Sequence, residues 1–254
     1  MRKTFFTCLI IFFSILSYGQ DSQQANWRTL TNDFMTWYTY THHNIRLSQD
    51  FIAVDTNAAN IDKLDFLNKL LAGKVFAFKT GTKDDTDIYT LYPLTAKDEN
   101  IQSVIKQSAE TEIQHYQMEG TAMPPFSFLD MKGNTYDNAS AKGKLIVLKC
   151  WYINCVACVK EFPVLNKLVK EYKDNDHVLF ISLASDNKTE LTRFLQSNKF
   201  SYAVVPGMQD FMTTPLSITA YPTHLLIDET GKIVKVVNRI EDLLPFLTKA
   251  ASKS

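Results

Sequence analysis

The chain has 254 residues, 45% hydrophobic and 21% charged, with only 8 Gly and 8 Pro, which excludes disordered and fibrous classes and leaves an ordinary globular protein. Basic and acidic residues balance at 27 each and no predicted face carries a basic stripe, so nucleic acid is not an expected partner.

At the start, Arg2 and Lys3 precede an apolar run over residues 5–16, and Ser17, Tyr18 and Gly19 follow with small residues three and one positions before Gln20. That is the pattern of a secretory signal peptide over residues 1–19. The run is shorter than the roughly 20 apolar residues that span a bilayer, so cleavage is expected, with no transmembrane segment afterwards. Cys8 lies within the run and not at the cleavage point, so no lipid-attachment cysteine is offered. Without the leader the net charge is −2 and three cysteines remain, Cys150, Cys155 and Cys158. Three thiols make no disulfide framework; an exported chain with one close pair points to a pair that cycles.

Residues 20–119 read as an α+β module. Trp27, Leu30, Phe34, Trp37 and Tyr38 have helical spacing over residues 27–40, and Leu64, Phe66, Leu67, Leu70 and Leu71 repeat it over 61–71, with Asn60 as N-cap and Gly73 just past the end. Strands are predicted at 51–55, 75–79 and 88–93, around a polar turn at 81–87. A helix over 97–119 follows, with Ile101, Ile105, Ile113 and Tyr116 as its stripe. His42, His43 and His115 lack ligand spacing, so they read as surface or cap residues and not as a metal site. Trp37, Tyr38 and Tyr40 read as core packing in preference to a partner surface.

Gly120, Pro124 and Pro125 mark a linker into a second module, residues 120–254. A hairpin is predicted from 126–129 and 135–136. Strands at 145–150, 178–183, 202–205, 224–227 and 233–237 then alternate with helices at 155–173, 188–197, 209–212 and 240–250. Alternation closed by a hairpin gives an α/β mixed sheet with flanking helices.

Cys155 and Cys158 stand where a strand gives way to a helix. Two cysteines in a first helical turn can close a small disulfide ring while the first sulfur stays exposed, which suits thiol–disulfide exchange: Cys155 attacks and Cys158 resolves. Unpaired N–H groups at the helix start favour a thiolate at Cys155. Half a zinc site is the bland alternative, but no second ligand pair exists at the required spacing.

The segments W-Y-I-N-C-V-A-C-V-K-E-F-P (151–163), A-Y-P-T-H (220–224) and L-L-I-D-E-T-G-K-I-V (225–234) resemble the thioredoxin superfamily. Within it they are similar to the exported TlpA/ResA-like thiol–disulfide oxidoreductases, with an AhpC/TSA-redoxin-like domain. The resemblance covers about residues 121–251. It implies a thioredoxin fold with Cys155 as nucleophile and Cys158 as resolving thiol. Trp151, Tyr221, Pro222 and Thr223 form the substrate-binding set, with Pro222 as a cis-proline. Glu161 matches the acidic residue that relatives place three positions after the second cysteine, and is expected to relay a proton to the resolving thiol.

Two positions depart from that pattern. Lys149 replaces the usual acid or amide behind the disulfide; buried, it needs Glu161 as partner and the pair favours a thiolate, whereas a snorkelling side chain does neither. Cys150 replaces an aromatic residue and reads as a small apolar core residue.

The expected function is reduction of protein disulfides in a bacterial periplasm or cell envelope, with no cofactor beyond the Cys155–Cys158 pair. Protein thiols and disulfides are the expected partners, and a membrane thiol donor the reductant. By resemblance, cytochrome c maturation is one setting. A peroxiredoxin-like peroxidase, and a binding protein that uses the fold as a scaffold, are the rivals.

Overall fold

A computed structural model describes residues 26–94 and 99–252; the leader expected at 1–19, with Cys8, lies outside the described residues. The first module opens with α1 (Trp27–Leu30) and α2 (Phe34–Asn44), where spacing alone predicts one helix. The break comes at Asp33, whose extended backbone leaves the helix and whose carboxylate accepts the Thr36 N–H at 2.7 Å to start the next one. There follow β1 (Phe51–Val54), β2 (Asn60–Ile61), α3 (Lys63–Leu71), β3 (Val75–Lys83), β4 (Thr86–Pro93) and α4 (Glu99–Met118). Their sheet has the order β2-β1-β4-β3, with β1 and β4 parallel.

Local chemistry explains the other departures in this module. Asn60, the expected N-cap, is drawn into β2 opposite Val54, and Asp62 caps α3 instead by accepting the Asp65 N–H at 2.9 Å. Gly73 ends α3 as expected, at φ +71°. The polar turn is tighter than predicted, because Asp84 and Asp85 both take positive φ and let the strands run on to Lys83 and Thr86. Trp37 is core, 3% exposed, whereas Tyr38 is 45% exposed.

The second module contains the hairpin β5 (Ser127–Leu129) and β6 (Thr135–Asp137). Next come β7 (Leu145–Trp151), α5 (Val156–Lys160), α6 (Phe162–Glu171), β8 (Val178–Ala184), α7 (Lys188–Leu195) and β9 (Ala203–Val205). The chain ends with α8 (Gln209–Thr213), β10 (Thr223–Ile227), β11 (Ile233–Val237) and α9 (Ile240–Ala251). Sheet order is β11-β10-β7-β8-β9; β7, β8 and β9 are parallel, and β10 is antiparallel to β7 and β11. This is the expected α/β mixed sheet with flanking helices, a thioredoxin-type fold preceded by a smaller α+β module.

Central strand β7 is buried on both faces, so alternation sorts its residues between two cores. Ile146, Leu148 and Cys150 join a cluster with Leu225 and Met212, while Leu145 and Val147 join Leu165, Leu168 and Leu243 under α6 and α9. Each fully buried side chain of this size contributes about 1.5–3 kcal/mol of transfer free energy.

The predicted helix over 155–173 is two helices. Pro163 has no N–H to return to the carbonyl of Val159, which instead accepts the Glu161 N–H, and the axis breaks at Glu161. Residues 120–123 are not a loose linker: Gly120 N–H donates to Ile233 O at 2.7 Å, and Met123 N–H to Gly231 O at 2.8 Å, so the segment lies along β11. As a result α4 packs against β11 as well as against its own module. That second contact buries His115, expected at the surface, to 3% exposure, and leaves Tyr116, placed on the buried stripe, 41% exposed.

Candidate active site

Cys155 and Cys158 are joined in a disulfide, with Cα atoms 5.2 Å apart. Cys155 is the N-cap of α5, and its Sγ accepts the Cys158 N–H at 3.1 Å. The positive end of α5 is only a five-residue turn, so this direct hydrogen bond is the main local support for charge on the sulfur. Cys155 is 6% exposed and Cys158 is 0% exposed, so solvent meets the pair through the first sulfur alone. Val156 beside it is 67% exposed, an apolar side chain held in water at the rim of the thiol pair.

Across the sheet, the Tyr221–Pro222 peptide bond is cis. Tyr221 packs on the cluster that contains both cysteines and meets Tyr152 edge-on at 5.4 Å. Asn238 holds the loop: its Nδ2 donates to Pro222 O at 2.7 Å and to Thr223 Oγ1 at 3.1 Å, while Thr223 Oγ1 donates to Ala220 O at 2.7 Å. Two members of the expected substrate set are therefore elsewhere. Thr223 is 0% exposed and shapes the loop, and Trp151 is 0% exposed, its ring packed edge-on to Phe162 at 5.1 Å and Phe200 at 5.7 Å. Trp151 points to the same face as Leu145 and Val147, into the core, so it backs the disulfide and cannot touch a substrate. Tyr152 and Tyr221 are the half-buried aromatics at the site.

Lys149 is fully buried and donates from Nζ to Glu161 Oε2. The same oxygen accepts from Nε2 of His224, also fully buried, at 3.0 Å, and Oε1 accepts the Ile240 N–H at 3.2 Å. Burial pushes the Glu161 carboxyl upward, but the His224 hydrogen bond and the Lys149 charge outweigh it and hold the group down to about 2. Burial also lowers Lys149, with Glu161 opposing the shift. His224 is lowered by burial and by the Lys149 charge, with Glu161 opposing the shift. Glu161 is thus held as an anion by Lys149, His224 and the Ile240 N–H. Cys150 lies on the opposite face, and burial pushes its thiol up to about 12, which leaves it inert.

His224 and Asn238 escaped sequence reasoning. The only trace of His224 is its place two residues after Pro222. Its meeting with Glu161 depends on the β10–β7 register, which sets His224 opposite Lys149.

The Redoxin family model matches residues 118–242. A thioredoxin-like protein, YneN, of Bacillus subtilis is 29% identical over 117 residues, 45% of this chain and 68% of its own. The thiol-disulfide oxidoreductase ResA of Geobacillus kaustophilus is 25% identical over 118 residues, 46% of this chain and 68% of its own. ResA of Bacillus subtilis is 29% identical over 119 residues, 47% of this chain and 66% of its own. Among solved structures, the thioredoxin domain of a thiol-disulfide oxidoreductase from Bacteroides vulgatus is 25% identical, with TM-score 0.47, covering 52% of this chain and 96% of that one. A thiol-disulfide oxidoreductase from Bacteroides fragilis is 22% identical, with TM-score 0.46, covering 51% and 98%.

A Redoxin match over the module that carries the Cys155–Cys158 disulfide, together with thiol-disulfide oxidoreductases among its relatives, makes this a thiol–disulfide oxidoreductase. Within the thioredoxin superfamily its second module is similar to the TlpA/ResA-like proteins.

Proposed function

We propose that the protein reduces disulfides of other proteins outside the cytoplasm, in a bacterial periplasm or cell envelope. The observation that carries this reading is the asymmetry of the pair, with Cys155 just reached by solvent at 6% exposure and Cys158 fully enclosed behind it. In the reduced protein the Cys155 thiolate attacks one sulfur of a substrate disulfide, and the other leaves as a thiolate that takes a proton. Cys158, as thiolate, then attacks Cys155 Sγ and expels the second substrate thiol. The substrate gains two electrons and the protein becomes the observed disulfide.

Tyr221, held in place by the buried cis-Pro222, presents backbone to an extended substrate, with Tyr152 and Val156 supplying apolar contact. Glu161, Lys149 and His224 are positioning residues that fix the floor behind Cys158. A membrane thiol donor recharges the pair, and no further cofactor is required. Support for an envelope location comes from the leader pattern at residues 1–19. Among the described residues no helix is long and apolar enough to cross a membrane. Apocytochrome c cysteines awaiting haem are one substrate class consistent with the resemblance to ResA. We further place the boundary between the two modules near residue 119.

The test is insulin reduction by the reduced protein, paired with the equilibrium potential of Cys155–Cys158 against glutathione. A potential near about −270 mV and activity abolished in Cys155→Ser are the expected results, and a value near about −120 mV would mark an oxidant. Peroxide turnover far above that of a free thiol would transfer the reading to a peroxidase.

A further inference from the structure

A cavity of about 240 Å³ lies where α2, β3 and α4 of the first module face the start of α9 in the second. Trp37, Leu70, Phe76 and Ile105 give it an apolar wall. Its other side is charged. The Asp242 carboxylate accepts from Arg46 Nη1 at 2.7 Å, Arg239 Nε at 3.1 Å, Arg239 Nη2 at 3.1 Å and Ser48 Oγ at 3.2 Å. Two guanidiniums share one carboxylate, so a positive charge is left over at the cavity and several N–H donors remain for a ligand. Thr41 Oγ1 also lines the cavity, buried and without a hydrogen-bond partner.

One more acid faces this space. Burial pushes the Glu112 carboxyl up to about 7, against the pull of Lys63 and Lys235 and with the repulsion of Glu119 and Asp242. Near neutral pH it therefore stands partly protonated, a weaker competing anion than an ordinary carboxylate. An apolar wall opposite surplus donors and positive charge fits an amphipathic anion, and rejects a cation of the same shape.

The far side of the same segment belongs to the redox site. Asn238 lines the cavity and holds Pro222 and Thr223 by its amide, and Ile240, next to Arg239, donates its N–H to Glu161. Residues 238–242 thus have one edge in the cavity and the other under the cis-proline loop.

We propose that this inter-module cavity binds a small organic anion, one carboxylate on a compact apolar body, and that its occupancy is coupled to the Cys155–Cys158 pair through residues 238–242. Binding stands on the cavity alone; coupling rests on the reading of that pair as the redox centre.

The probe is octanoate, titrated calorimetrically into the full-length protein beside octylammonium and octanol. Octanoate is expected to bind at least tenfold tighter than either. Arg46→Gln, which leaves Arg239 on Asp242, is expected to weaken it about tenfold, and Ser108→Phe, which fills the cavity from the exposed face of α4, to abolish binding. Equal binding of the three probes, or octanoate binding indifferent to Arg46→Gln, overturns the site. Coupling is read separately, as at least a threefold difference in octanoate affinity between oxidised and reduced protein, mirrored in the redox equilibrium with glutathione. Octanoate binding with no such difference overturns the coupling and keeps the site. Octanoate binding in a protein that fails to reduce insulin overturns the reductase reading alone.

Discussion

Two buried lysine–glutamate pairs sit on the same sheet and do different work. Lys149 on the central strand meets Glu161, and Lys235 on the edge strand meets Glu119 at 3.0 Å. Each lysine is nearly or fully enclosed, 0% and 3% of its side chain exposed, and each glutamate follows the end of a helix. The surroundings separate them. Glu161 has a buried histidine and a backbone N–H completing its shell, all from one domain. Glu119 joins the two modules, with the Val236 N–H at 3.3 Å, while Lys235 Nζ lies over the Phe246 ring at 4.8 Å. A charge pair enclosed in one core has no substitute for a lost partner, whereas Lys235 on the seam also has the Phe246 ring and the Glu112 carboxyl.

Breaking the enclosed pair is the largest expected effect. Glu161→Gln leaves Lys149 charged and unpaired beneath the disulfide, and a loss of about 3–5 kcal/mol in urea unfolding is expected. A loss under about 1 kcal/mol would mean that water reaches Lys149. The acid limb carries the same signature. Glu161 titrates at about 2 when folded and near its ordinary 4.5 when unfolded, so its contribution is complete above pH 4.5 and disappears as pH falls through 2. Glu161→Gln should flatten that limb.

The seam should respond less, and its pH slope should have the opposite sign. Glu119→Gln is expected to cost about 1–3 kcal/mol, since its buried partner keeps the Phe246 face and the Glu112 charge. Glu112 titrates at about 7 in the folded protein against 4.5 unfolded, so the folded state holds the extra proton between them. Its contribution is present below pH 4.5 and lost as pH rises through 7, and Glu112→Gln should remove that decline. His115, kept neutral by burial and lowered to about 4, opposes it, losing stability as pH falls from 6.5 through 4. The slope is therefore clearest above pH 6.5, where His115 is silent.

The smallest effect asks whether the enclosed pair reaches the chemistry. Lys149→Met should raise the Cys155 thiol by about half a pH unit in the reduced protein, because a positive charge behind the site is removed. An unchanged Cys155 titration would confine Lys149 to structure.

Much of this could be read before the fold was known. The thiol pair, its strand-to-helix setting, the strand and helix order of residues 120–254 and the apolar character of Cys150 all follow from local spacing. Cap positions were less legible, since Asn60 and Asp62 are both competent caps and only the pairing of Asn60 with Val54 decides between them. Trp151 entered the substrate set through the family resemblance, which does not say how deep the end of a fully buried strand lies.

The sequence alone determined the chemistry on offer, because a C-x-x-C pair, a strand-to-helix transition and a proline after Glu161 act within a few residues of one another. Tertiary structure decided the electrostatics. Glu161 meets partners 12, 63 and 79 residues away, and the cavity draws on both modules. Such meetings are set by strand register and by the packing of α4 and α9. A register shift of one residue would turn His224 to the other face of the sheet and leave Glu161 with Lys149 alone.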